Sequence, residues 1–89
     1  MNYKYFVGID VSKRTLDYSI LNDGKEILHL QLTNSIEGLE QFLKKLSVIC
    51  KKDNFDDVLF CMEHTGIYCE HIFTLLDMYD INLWVESSL

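Results

Sequence analysis

Between residues 53 and 89 there is no lysine and no arginine. All eight basic residues lie in residues 1–52 against six acids, a local charge of +2, and the eight acids that follow give −8, for a total of −6. A domain that gripped nucleic acid unaided would present a basic stripe, and this acidic second part argues against that mode of binding for the chain acting alone. It leaves a metal-mediated route open, because a bound divalent cation inverts the local electrostatics of carboxylates.

Long apolar runs are also missing. Nothing approaches the roughly 20 residues that span a bilayer, and the first residues hold no apolar h-region before a small-residue cleavage site, so a cytoplasmic protein without a membrane partner is expected. Cysteine is scarce and odd in number, at positions Cys50, Cys61 and Cys69. That count speaks for reduced thiols, not a disulfide framework. With 89 residues, 48% hydrophobic and 12% aromatic, the chain suffices for one packed domain with a core of limited size.

The stretch that organises the remainder is Tyr5-Phe6-Val7-Gly8-Ile9-Asp10-Val11-Ser12-Lys13. An apolar run this short reads as a buried strand, and Gly8 removes a side chain from the face on which Asp10 lies. A carboxylate in or beside an apolar strand needs a cation, a set of donors or an exit to solvent. The plainer role for Asp10 is a strand-terminal cap.

Leu16, Tyr18 and Ile20 alternate with Asp17 and Ser19 as a half-buried second strand. Asp23-Gly24 supplies a hairpin turn. Leu28, Leu30 and Leu32 then mark a third strand, antiparallel to the second, with His29 on its more polar face. Asn34 and Glu37 have the spacing of an N-cap and its N3 carboxylate, and the helical recurrence from Ile36 to Ile49 predicts a helix from about residue 35 to about residue 51. Its Lys44, Lys45, Lys51 and Lys52 suit the negative end of a helix dipole better than a nucleic-acid patch.

Val58 to Met62 reads as a fourth, buried strand and, like the first, runs into a carboxylate, Glu63. Thr65 is placed to cap a second helix whose buried stripe is Tyr68, Ile72, Leu75, Leu76 and Tyr79. Ile81 to Val85 reads as a last strand. A meander followed by two crossovers gives an α/β fold with a mixed five-stranded sheet, order 3-2-1-4-5, and two helices. In that order Asp10 and Glu63 finish at one end of adjacent parallel strands, where ligands of open α/β sheets gather. Their backbones would stand roughly 5 Å apart, and Mg²⁺ or Mn²⁺ between them would keep both ionised. The competing set Cys61, His64, Cys69 and His71 fits no regular zinc spacing, and a Cys-His nucleophile has no activating neighbour.

Gly8-Ile9-Asp10-Val11-Ser12-Lys13 with Leu16-Asp17, and Glu63-His64-Thr65-Gly66-Ile67-Tyr68, resemble the two N-terminal motifs of the DEDD transposases of the insertion-sequence-110 family. The resemblance implies a ribonuclease-H-like (RuvC-like) domain whose Asp-Glu-Asp-Asp tetrad binds divalent metal, Mg²⁺ or Mn²⁺, for DNA strand cleavage and transfer. Asp10 and Glu63 would be its first two members, with Ser12 and Thr65 in support. Lys13 and Arg14 carry the charge to touch a phosphate, and a solvated turn explains them equally well. The resemblance further implies DNA and a guide RNA as partners of the full-length protein. The family's downstream Asp-x-x-Asp and its serine domain have no counterpart here, so the chain is expected to be the N-terminal part of a C-terminally incomplete catalytic domain, inactive by itself and inclined to form homo-oligomers through an uncovered last strand. Two alternatives stand beside this reading. One is half of an actin-like or sugar-kinase ATPase, against which the turn Val11-Ser12-Lys13-Arg14 lacks the glycines of a phosphate loop. The other is a non-catalytic interaction module in which Asp10 and Glu63 merely cap.

Overall fold

Asp23 and Gly24 both adopt positive φ, 55° and 76°, the conformation a tight two-residue hairpin needs and one that glycine takes without steric cost. In the computed structural model, which describes residues 2–52, 54–63 and 66–86, this turn joins β2 (Thr15–Asn22) to β3 (Lys25–Thr33). The strand before them, β1 (Tyr5–Val11), pairs antiparallel with β2. α1 (Ile36–Cys50) then carries the chain across to β4 (Val58–Glu63), which lies parallel to β1. A short 3₁₀ helix (Gly66–Cys69) leads into α2 (Glu70–Met78), and β5 (Asn82–Glu86) adds parallel to β4. The sheet order is β3-β2-β1-β4-β5, as the meander and crossovers require.

Alternation sorts the side chains by face. Tyr5, Val7 and Ile9 of β1, Leu16, Tyr18 and Ile20 of β2, and Val58, Phe60 and Met62 of β4 are all buried, in one cluster with Leu39, Phe42, Leu43 and Leu46 of α1 and Ile72, Leu75 and Leu76 of α2. Phe42 sits at the centre, stacked on Tyr18 with centroids 3.8 Å apart and edge-on to Phe60 at 6.0 Å. Both helices therefore cover the same face of the sheet. The opposite face is uncovered among the described residues: Phe6 and Asp10 are exposed and Gly8 is half-buried. β1 is thus buried on one side only, and its near-continuous apolar run conceals that difference because Phe6 and Gly8 carry no polar marker.

Two helix starts differ from the sequence expectation. Ser35, not Asn34, is the N-cap of α1, its hydroxyl accepting from the Gly38 amide at 3.0 Å; Asn34 is turned away toward other partners. The second helix begins at Glu70 after the 3₁₀ turn, and its cap residue Cys69 makes no side-chain capping bond. Thr65, the expected cap, lies outside the described residues. Among the described residues no helix is long and apolar enough to cross a membrane.

Candidate functional site

The parallel register of β1 and β4 runs Tyr5 opposite Val58 through Ile9 opposite Met62. Asp10 and Glu63 are the next residue on each strand, so both emerge at the carboxyl ends of neighbouring strands, and both are exposed on the uncovered face. Asp10 is also directly opposite Asp17 on β2, and Glu63 directly opposite Glu86 on β5. Four carboxylates thus form a row across four strands. Gly8, behind Asp10, leaves open space where a side chain would stand. The row borders an open cleft of about 530 Å³ whose lining also includes Gly8, Cys61, Trp84 and His29.

Among the described residues Asp17 is the one member of the row with side-chain partners in the sheet. The Gln31 amide donates to both of its oxygens at 3.3 and 3.2 Å, and His29 Nε2 stands 3.5 Å away. The sequence reading placed Asp17 in a motif without a site role and passed over Glu86. The signal for Asp17 was available in hairpin register, since Val11 opposite Leu16 puts residue 17 across from residue 10. Glu86 falls just beyond the strand end expected from the sequence.

Ser12, Lys13 and Arg14 form the exposed turn after β1. The Ser12 amide donates to the Thr15 carbonyl at 3.0 Å, and the Thr15 amide donates to Ser12 Oγ at 3.2 Å. These donors are consumed inside the turn. Lys13 and Arg14 project from it near the end of the sheet where Asp10 lies.

Among the described residues Cys61, Cys69 and His71 do not assemble as a metal centre. Cys61 is half-buried on the cleft side of β4, whereas Cys69 is part of the hydrophobic core, and His64 lies outside the described residues. Burial pushes the Cys61 thiol up, which disfavours the thiolate a nucleophile or ligand requires. Among the described residues no group of three or more His, Cys, Asp or Glu is arranged to hold a metal ion. What Asp10 and Glu63 offer is a pair of hard oxygen ligands open to solvent. Carboxylate oxygens are the kind of donor that Mg²⁺ and Mn²⁺ take.

Against known proteins, the family model of the insertion-sequence-110 DEDD transposases, described as Transposase, matches residues 7–88. The chain belongs to that family. No curated protein matches it. A solved structure from Bacteroides thetaiotaomicron VPI-5482, a protein with an actin-like ATPase fold and unknown function, is similar at TM-score 0.72 and 11% identity over 97% of this chain and 34% of that one. Two Aquifex aeolicus structures, of a PPX-GPPA enzyme and a Ppx/GppA family member, match at TM-scores 0.47 and 0.46 with 16% and 14% identity, over 93% and 94% of this chain and 36% and 35% of theirs. The chain spans about a third of the length of these structures. The first likeness shows a shared fold.

Proposed function

We propose that Asp10 and Glu63 are the first two carboxylates of a divalent-metal site, taking Mg²⁺ or Mn²⁺, in a transposase that cleaves and transfers DNA strands. In this reading residues 1–89 are the N-terminal part of a ribonuclease-H-like, RuvC-like catalytic domain. The observation that carries it is the parallel pairing of β1 and β4, which delivers the two motif carboxylates to one end of one open face. Membership of the transposase family supplies the reaction class.

The chemistry follows from the donor set. Asp10 and Glu63 would hold the ion from one side, and Gly8 leaves the face beside Asp10 clear for a phosphate to approach. A bound divalent ion supplies charge neutralisation at the phosphate and a more acidic water. Ser12 supports Asp10 by closing the turn that follows it, and Lys13 and Arg14 are placed to meet the DNA backbone. Two carboxylates are half of a tetrad, so the isolated chain is expected not to cut DNA. In the longer protein, guide RNA and a second protomer would provide the cationic and base-pairing contacts that this acidic chain lacks.

The likeness to an actin-like ATPase fold favours a second reading, half of a nucleotide-binding domain. The β1–β2 turn weighs against it: it has no glycine, and the amides of Ser12 and Thr15 are already engaged. Titration with Mg-ATP should therefore give no saturable binding.

The test of the metal site is a Mn²⁺ titration followed by paramagnetic line broadening in wild type, Asp10→Asn and Glu63→Gln. Broadening confined to the ends of β1 and β4 and lost in both variants supports the site. Broadening that neither substitution alters, or that centres on Cys61, Cys69 and His71, overturns it.

A further inference from the structure

Asn34 stands between the two motif segments. Its Nδ2 donates to the Ser12 carbonyl at 2.7 Å and to the Tyr68 carbonyl at 3.1 Å, and its backbone amide donates to the Arg14 carbonyl at 2.8 Å. Both side-chain partners are carbonyls, so the donor must be the amide nitrogen, and its two hydrogens serve one segment each. The Oδ1 atom is buried and has no partner among the described residues. Asn34 itself lies between the end of β3 and the Ser35 cap of α1.

We propose that Asn34 is a positioning residue that clamps the turn following Asp10 to the 3₁₀ segment following Glu63, fixing the two carboxylates relative to one another. Ser12 lies in the first motif and Tyr68 ends the second, and they are joined through this one side chain from a third element. Parallel pairing sets the strands, but it does not set the loops that leave them. Asn34 ties together the segments that follow the two carboxylates. The bearing of the clamp on metal rests on the site proposed for Asp10 and Glu63; the clamp itself does not.

Hydrogen exchange by NMR tests the clamp on the 89-residue chain. In wild type the Asn34 side-chain amide protons should exchange at least about tenfold more slowly than those of exposed Asn54; equal rates would overturn the proposal even if every variant failed to fold. In Asn34→Ala and Asn34→Asp, protection of the Ser12, Thr15 and Cys69 amides should fall about tenfold while Val7, Tyr18 and Phe60 hold theirs. Asn34→Asp keeps the size and one oxygen but removes the donors, so wild-type protection in that variant would reduce Asn34 to space filling. Equal loss across β1, β2 and β4 would reduce it to general stability. Mn²⁺ affinity in Asn34→Ala should be about tenfold weaker than in wild type. Unchanged affinity despite loosened loops removes the positioning role, whereas a wild type that binds no Mn²⁺ defeats the metal site and leaves the exchange pattern to decide the clamp.

Discussion

Asp10 faces Asp17 directly across β1 and β2, and like charges in that position destabilise an antiparallel pair. A residue retained for packing would not be placed there. Asp10→Asn should therefore raise stability by about 0.5 kcal/mol in urea denaturation at neutral pH, in the same variant that is expected to lose Mn²⁺ binding. A loss of stability would instead mark Asp10 as a structural cap. Tyr18 is a second residue held at a cost: its hydroxyl is buried without a hydrogen-bond partner among the described residues, and burial holds its pKa well above the ordinary value of 10.0. Tyr18→Phe should stabilise by about 1 kcal/mol, keeping the stack on Phe42. Burial, followed by the nearby Asp57 carboxylate, pushes the Cys50 thiol from 9.0 up to about 11. The folded state thus holds this proton more tightly than the unfolded chain. No difference arises below pH 9, and stability should fall as pH rises from 9 toward 11, with a shallower fall in Cys50→Ala; a flat profile over that range would show that the thiol is not shielded.

At the scale of elements, α1 is anchored at its first turn. Gly38 lies where a Cβ would collide with the carbonyl oxygen of Thr33 at the end of β3, so the close approach of helix and strand requires glycine. Gly38→Ala should cost about 2 kcal/mol by thermal unfolding, although alanine is the better helix former by about 1 kcal/mol. A stabilised variant would mean the helix start can shift freely. The strands and their order were legible in the sequence because period-2 alternation, the Asp-Gly turn and short crossovers leave few topologies. The start of α1 was less so, since Asn34 and Ser35 both have capping chemistry; the Ser35 hydroxyl takes the Gly38 amide while Asn34 is engaged with Ser12 and Tyr68. Asp10 and Glu63 were legible as strand-ending carboxylates. Asp17 was legible only once the register of the first hairpin was worked out, a relation between two segments, and Glu86 was not, because it lies past the expected end of the last strand.

At the scale of the whole molecule, the helices cover one face of the sheet and the other presents a row of carboxylates beside exposed aromatics. Among the described residues β5 is an edge strand, with Trp84 62% and Val85 39% exposed. An apolar edge of this kind invites pairing with another chain. Sedimentation at high micromolar concentration should show a dimer that Trp84→Glu returns to monomer, and a monomeric wild type would contradict it.

The central claim is that Asp10 and Glu63 act on one ion, and a double-mutant cycle of Mn²⁺ binding, read from the free-ion electron paramagnetic resonance signal, tests it most directly. Two ligands of one site are not independent. Asp10→Asn and Glu63→Gln should each remove most of the affinity, and the double variant should lose little more. Additive losses, or a single variant that binds Mn²⁺ as wild type does, would show that the two carboxylates do not share a site.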